Sequence, residues 1–531
     1  MEGKLIFFIV NLIFPFSGAS TPPNILLIVA DDLGYNDVSW HNPDIISPHL
    51  GKLASNGMIL ESHYTMHVCT PTRAALMTSY YPIHTGRQHE TITQQEPVGV
   101  YTNFTFMPEY FKQIGYKTHA VGKWHLGFCS ENYIPTGRGF DTFYGFYTGS
   151  EDYYTHMRGS SVGEKGPGYD FRDQEEADWA AQGIYSSKLL GKRTADIIQD
   201  HAENYSDDPF YIYLPFQDVH APIMVPKEYE DMYPNVKNES RRILSGMVTA
   251  MDDAVGQIVE ALEQTKMLDK TIIVFTPDNG GQCRKGGNNH PLKGNKNTLW
   301  EGGTRSAAFI YSSLLKNKGS LYDGLIHVVD WGPTLLSAVK EHLSQPQHDL
   351  VNSWISEDKD GMDLWNELIK GEASKRTEFL YNIDPLFDDG GSSIIGGAGI
   401  RVGDMKLLIG NPGDRYHGHF PPDEVDPENI CPPGQGGDGI DNLDKMSIQM
   451  FSDIFSIADT EVYLYNIKED PNEYHNIAKD NPTVVEELKE KLKVYYDSMI
   501  PPNIEEQIEE GNPSNFNGTF ASGWCKSEPT F

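Results

Sequence analysis

Sulfur is scarce in this chain, which has five cysteines among 531 residues. A chain of this length buries enough apolar surface to have a core without disulfides, so a small stapled scaffold is excluded. No Cys/His pair with zinc spacing occurs, which removes a zinc module as the organising element. Basic residues are few: 42 Lys and Arg stand against 75 Asp and Glu, a formal net charge of −33. Such a field repels nucleic acid and anionic membrane surfaces, so neither is expected as a partner. Beyond the N-terminus no apolar run is long enough to span a bilayer, and no membrane anchor is expected. There is no internal repeat.

The N-terminus itself reads as an export signal. Met1-Glu2-Gly3-Lys4 precedes a mostly apolar run from Leu5 to Phe16, and Ser17-Gly18-Ala19-Ser20 offers cleavage near Ala19. Sequons at Asn103, Asn204, Asn238 and Asn517 agree with glycosylation in a secretory route. A secreted or lysosomal protein is expected.

Several apolar runs read as buried parallel strands, and chemistry-bearing residues follow them directly. Asn24 to Ala30 runs into Asp31-Asp32, and Thr271 to Phe275 runs into Pro277-Asp278-Asn279-Gly280-Gly281. Three carboxylates and one amide carbonyl form an all-oxygen donor set, suited to a hard cation such as calcium. Ligands of open α/β sheets bind beyond the carboxyl ends of strands, which favours a site over ordinary turns at these positions. Phe210 to Phe216 leads likewise into Asp218-Val219-His220.

Cys69-Thr70-Pro71-Thr72-Arg73 opens a helical segment that runs through Thr78 toward Gly86. Proline suits a first helical turn, so residue 69 is expected where free backbone N–H groups and the positive end of the helix dipole favour an anion. Arg73 is expected to project into the same volume.

The pentapeptide resembles the C-x-P-x-R signature of the type I sulfatases. His119-Ala120-Val121-Gly122-Lys123-Trp124-His125-Leu126-Gly127 and Gly294-Asn295-Lys296, with Glu301-Gly302-Gly303, resemble further elements of that family in its chain order. Gly149 to Tyr154, Asp170 to Asp173, Gly286 to Asn289 and Tyr381 to Pro385 look like the arylsulfatase B, or N-acetylgalactosamine-4-sulfatase, branch. Thr72 stands where that family usually has Ser, and keeps the hydroxyl. Ser79 stands where Gly is usual, which bears on how the helix packs.

The resemblance implies a formylglycine-dependent sulfatase. Cys69 is then a precursor, oxidised to formylglycine by a formylglycine-generating enzyme, whose hydrate attacks sulfur. Asp31, Asp32, Asp278 and Asn279, with residue 69, hold one calcium ion. Arg73 and Lys123 stabilise the hydrate, and Lys123, His220 and Lys296 bind the sulfate. His220 and Lys296 assist the leaving alcohol, and His125 takes the proton when sulfate is expelled. A phosphate-ester hydrolase would keep Ser or Thr as nucleophile and carry more ligands for a second metal. A non-catalytic secreted protein is the reading if Cys69 is never oxidised.

The branch resemblance implies a sulfated sugar as substrate. The charge of −33 favours small, singly sulfated molecules, such as aryl or glucosinolate-type esters, over polymers. Trp124 and Trp300 are candidates for stacking against either. If Cys69 is converted, Cys129, Cys283, Cys431 and Cys525 permit two disulfides in three pairings, or Cys283 stays free near the site.

The fold expected is α/β: a large, mostly parallel sheet sandwiched by helices, as in alkaline phosphatase, with a smaller C-terminal domain of antiparallel sheet and helix. The boundaries expected are 1–19 signal peptide, 20–400 catalytic domain and 401–531 smaller domain. Arg241 to Gln264 reads as a helix with an apolar stripe of Ile243, Met247, Met251, Val255, Ile258 and Leu262. Asp388–Gly399 and Asn411–Gly439 read as loops, Val462–Asn466 as a strand, and Asn481-Pro482 as the cap of a helix bearing Val485, Leu488, Leu492, Tyr496 and Met499.

Overall fold

Five segments form the parallel centre of one sheet: β1 (Asn24–Ala30), β2 (Lys117–Lys123), β3 (Thr142–Phe146), β4 (Phe210–Pro215) and β5 (Thr271–Pro277), in the spatial order β5-β1-β4-β2-β3. The computed structural model describes residues 21–163, 166–357, 359–388, 395–413 and 461–525. The expected signal segment and Cys431 lie outside the described residues. Five further strands extend the sheet to ten: Ala308–Tyr311 beside β5 and Arg172–Asp173 beside β3, both antiparallel to their neighbour, are the first on either flank.

Continuous apolarity in β1 follows from burial on both faces. Ile25, Leu27 and Val29 join a core that includes Ala74, Leu76 and Met77, while Leu26, Ile28 and Ala30 join a second core with Leu190, Met247 and Ile258. Side chains alternate along a strand, so one seven-residue run serves two helical layers. The first layer holds α1 (Cys69–Thr78); the second holds α2 (Ser186–Asn204) and α3 (Glu239–Gln264). The α3 stripe is buried from Met247 to Leu262, with Ile243 only partly covered, and the Asn238 side chain accepts from Arg241 N at 2.9 Å to start the helix.

A separate four-stranded antiparallel sheet comprises β6 (Glu378–Asp384), β7 (Gly397–Val402), β8 (Met405–Gly410) and β9 (Val462–Asn466), with α4 (Pro482–Ser498) packed on it. Two local expectations need correction. Gly397 to Gly399, read as loop from their glycines, open β7, where Gly399 leaves room for the Leu408 side chain, 2.6 Å from where a Cβ would stand. Asn481 precedes α4 as expected, but its side chain donates to Ile477 O at 2.9 Å and makes no cap bond.

Cys129 and Cys525 form a disulfide across 396 residues of sequence. Cys283 is also disulfide-bonded, which rules out the alternative that it stays free. Asn103, Asn204 and Asn517 are exposed and Asn238 is half-buried. Among the described residues no helix is long and apolar enough to cross a membrane.

Candidate active site

Helix α1 begins at Cys69 itself, with Val68 extended as its N-cap, so the thiol stands at the first helical position. Cys69 is 1% exposed, and its Sγ lies 3.5 Å from Asp31 Oδ1. Burial, and then the charge of Asp278, push this thiol well up. These surroundings favour the thiol over the thiolate. The Thr72 hydroxyl donates to Asp278 O at 2.5 Å and accepts from Met66 N at 3.1 Å, the service expected of the usual serine. At the helix end Ser79 has φ of 63°, a left-handed conformation that explains why glycine is usual there. Its side chain fits because Gly332 and Gly361 face it; a Cβ on Gly332 would lie 2.1 Å from Ser79 Oγ.

The turn after β1 and the turn after β5 bring the oxygens together. Asp32 N donates to Asp278 Oδ1 at 3.2 Å, and Asn279 Nδ2 donates to Asp32 Oδ1 at 2.8 Å. Asn279 Oδ1 is buried and has no hydrogen-bond partner, although the amide beside it is fully bonded. One ligand atom each from Asp31, Asp32, Cys69 and His220 falls within 4.8 Å of the others. A buried, unpartnered carbonyl oxygen beside three carboxylates fits a hard cation.

Cations interleave with these acids. Arg73 is fully buried and grips Asp278 Oδ2 through Nη2 at 2.8 Å and Nε at 3.1 Å, with Asp31 Oδ1 3.9 Å away. Lys123, the last residue of β2, donates to Asp31 Oδ2 at 2.6 Å, and Lys296 to Asp32 Oδ2 at 2.9 Å. Burial, and then Asp278, raise Asp31 to about 7. Burial works upward on Asp32 too, but Lys296 and His220 overcome it and bring its carboxyl down to about 2.

The two histidines have defined ring orientations. His125 Nε2 lies 3.0 Å from Ile92 O and therefore carries the proton in the neutral ring, leaving its buried, unpartnered Nδ1 as an acceptor. His220 Nδ1 lies 2.5 Å from Ala221 O, so Nε2, 3.8 Å from Asp32 Oδ2, presents the lone pair. Burial is the main cause of the low proton affinity of both rings, with Lys123 next for His125 and Lys296 next for His220.

The structure thus brings Asp31, Asp32, Cys69, Arg73, Lys123, His220, Asp278, Asn279 and Lys296 into one network, with His125 against its edge through Thr70, whose hydroxyl donates to His125 O at 3.1 Å. Other motifs hold this site from behind. Tyr153 OH donates to Gln217 O and His220 O at 3.0 Å each, and Asp170 accepts from the backbone N of Tyr147 and Thr148. Asn289 Oδ1 accepts from Gly281 N at 2.8 Å, and Gly280 lets two loops touch, since a Cβ there would sit 1.8 Å from Gly302 O. Gly149 makes room for the His125 ring, 2.7 Å from where a Cβ would stand.

Trp124 and Trp300 are not available for stacking. Trp124 is 1% exposed with Nε1 donating to Gly127 O and Tyr133 O; Trp300 is buried with Nε1 on Gly413 O and Lys293 over its ring. Both are core residues, and their neighbouring motif residues misled the reading. Sequence reasoning also missed that Asp32, His125 and Asn297 adopt left-handed backbone conformations, with φ of 57°, 56° and 67°. Such angles are costly for non-glycine residues and cluster at working sites.

Comparison with known proteins places the chain in a family. The sulfatase family profile matches residues 23–341. The chain is 35% identical over 525 residues to arylsulfatase J of Mus musculus, covering 96% of this chain and 82% of that one. It is 29% identical over 394 residues to N-acetylgalactosamine-6-sulfatase of Homo sapiens, covering 70% of each. The crystal structure of Ps i-CgsB in complex with k-i-k-neocarrahexaose superposes with a TM-score of 0.72 at 27% identity, covering 94% of this chain and 98% of that one.

Proposed function

The chain belongs to the sulfatase family and is a hydrolase of sulfate esters, and on that premise we propose that it acts through formylglycine at position 69 and one calcium ion on a sulfated sugar. The observation that carries the mechanism is the buried Cys69 at the start of α1, set among Asp31, Lys123 and Arg73. Oxidised to the aldehyde and hydrated, residue 69 supplies one hydroxyl for attack on sulfur and a second whose deprotonation expels sulfate.

Asp31, Asp32, Asp278, Asn279 and residue 69 are the ligands assigned to calcium, on the strength of the unpartnered Asn279 Oδ1. Held by these residues, a calcium ion would supply Lewis acidity toward the sulfate and the attacking oxygen. Three carboxylates already face Arg73, Lys123 and Lys296. A divalent cation added to that balanced set leaves a surplus of positive charge for an anionic substrate.

Arg73 and Lys123 hold the oxygens at residue 69, and Lys123, His220 and Lys296 bind the sulfate. Lys296 is the proton source for the leaving alcohol, because His220 turns its lone pair, at Nε2, toward the same space. His125 Nδ1 accepts the proton of the second hydroxyl, since its Nε2–H is committed to Ile92 O. The sulfated-sugar reading is supported by relatives named for N-acetylgalactosamine 6-sulfate and by a neighbour bound to a neocarrahexaose. A secretory route, ending outside the cell or in the lysosome, is supported by the Cys129–Cys525 disulfide and the exposed sequons.

Mass spectrometry of the tryptic peptide 53–73 tests the first step: the secreted protein carries an aldehyde in place of the thiol. Cys69→Ala removes hydrolysis and leaves the fold. Full activity in that variant, or faster turnover of phosphate than sulfate esters of one alcohol, would overturn the mechanism. Turnover confined to small aryl sulfates would replace the sugar reading.

A further inference from the structure

Three chain segments meet beside Lys296. The first carries His67, two residues before Cys69, whose backbone oxygen accepts from Asn297 N at 2.9 Å. The second is the end of β6 with the turn after it, carrying Asn382, Asp384 and Phe387. The third is the loop of Gln88, His89 and Glu90, tied to β6 by Asn382 Nδ2 donating to Gln88 O at 2.8 Å and by His89 Nδ1 lying 2.8 Å from Asp384 Oδ2.

Between the first two segments is a small pocket lined by His67, Asn297, Asn382, Asp384 and Phe387, with about 10 Å³ of free space. That holds one water-sized group. Two buried polar atoms of its lining have no hydrogen-bond partner, His67 Nδ1 and Asn382 Oδ1. His67 and Asn382 are 4% and 1% exposed. Unpaired buried polar atoms are costly and rare, and two on one cavity point to a partner that enters from outside the chain. A hydroxyl group matches both, donating to Asn382 Oδ1 while bonding His67 Nδ1, and the Phe387 ring, edge-on to His67 with 6.2 Å between centroids, offers an apolar wall.

Charge narrows the ligand further. His89 and Asp384 neutralise one another, but Glu90 is exposed next in the chain, and its carboxylate acts electrostatically on both Lys296 and Asp384. The edge of the pocket is therefore negative where the clamp itself is positive. A second sulfate or a carboxylate there meets like charge.

Resting on the sulfatase reading above, we propose that this pocket receives a hydroxyl of the alcohol half of the ester, next to the bond that is cleaved, and that Glu90 excludes a second anion from that position. The substrate class is then a singly sulfated, polyhydroxylated ring. This is a narrower class than sulfated sugars at large.

The test compares kcat/KM of the whole secreted enzyme on N-acetylgalactosamine 4-sulfate, its 4,6-disulfate and p-nitrophenyl sulfate. In the native protein the monosulfated sugar is the best of the three. Glu90→Gln raises the ratio of disulfated to monosulfated sugar about fivefold, the scale of one exposed like-charge contact. Asn382→Leu lowers the ratio of monosulfated sugar to p-nitrophenyl sulfate at least about tenfold, the scale of one lost buried hydrogen bond. Unchanged ratios in both variants would show that the pocket holds only a structural water and overturn the inference. Because Glu90 is exposed, its variant decides the matter even if Asn382→Leu fails to fold. A native enzyme that cleaves p-nitrophenyl sulfate alone also overturns the inference and leaves the sulfatase function standing, whereas no turnover of any of the three removes both.

Discussion

Lys406 of β8 reaches Glu301 Oε1 at 3.0 Å, and both side chains are fully buried. The same ammonium lies 2.8 Å from Glu473 Oε1, while Tyr381 OH and Tyr64 OH donate to Glu301 at 2.7 and 2.8 Å. This knot joins the antiparallel sheet to the loop that carries Lys296. Removing one member of a buried ion pair leaves its partners charged without compensation, at about 3–5 kcal/mol. Lys406→Met is expected to lower the calorimetric unfolding temperature by several degrees and to reduce kcat, although Lys406 touches no reacting atom. A variant with native stability and native kcat would show that the sheet is mechanically independent of the site.

Chelation should abolish activity, and calcium rather than zinc should restore it, since the assigned donors are oxygens. Calcium should also stabilise the folded chain by about 2.7 kcal/mol at a hundredfold excess over Kd, visible as a rise in unfolding temperature. Asp278→Ala is expected to behave as the chelated enzyme in both measurements. Rescue by zinc alone would refute the oxygen-donor assignment.

Ser79 supplies a stability prediction that leaves chemistry untouched. Glycine at this left-handed position relieves about 1–2 kcal/mol of strain and returns roughly half of it as unfolded-chain entropy. Ser79→Gly should gain about 0.5–1 kcal/mol in denaturant unfolding, with kcat unaltered. A loss of stability would mean that packing of the Ser79 side chain against Gly332 and Gly361 outweighs the strain.

The pair His89–Asp384 makes stability depend on pH. Burial works against the charged ring, but Asp384, followed by the charges of Glu90 and Glu96, raises His89 to about 9. His67, the other titratable ring facing Asp384, is kept neutral by burial, at about 4. A histidine raised in the fold contributes its full stabilisation below its ordinary value of about 6.5 and loses it as pH climbs through 9. The difference in unfolding free energy between native protein and His89→Gln should therefore shrink from about 1–3 kcal/mol at pH 6 toward zero at pH 10. A difference that grows with pH would show that the ring is neutral in the fold.

Much of the site was legible because its residues follow strands directly: Asp31-Asp32 after β1, Asp278-Asn279 after β5 and Lys123 at the end of β2 meet by the geometry of a parallel sheet. Local patterns also marked Val462–Asn466 as strand and Glu239–Gln264 as helix to within a few residues. What stayed hidden depends on partners distant in sequence. The glycines of β7 read as a loop because the Leu408 side chain that Gly399 accommodates belongs to the next strand. Trp124 and Trp300 looked like stacking surfaces because their burial is set by Tyr133, Lys293 and Gly413. The left-handed angles of Asp32 and His125 belong to residue types that adopt such conformations more often than most, but most Asp and His residues do not, so the sequence does not single these two out.

Under the proposed formylglycine mechanism, the burial of Cys69 imposes an order of events on biosynthesis. With Sγ enclosed between α1 and Asp31, the folded protein offers an oxidising enzyme no access to that thiol. The Cys129–Cys525 bridge cannot close until residue 525 has been made, 396 residues after Cys129. Residue 69 emerges early and 525 late, so synthesis itself leaves an interval in which the nascent segment is extended and reachable. A variant that folds its N-terminal half faster would narrow that interval, and its activity would fall through incomplete maturation rather than through any defect in the finished site.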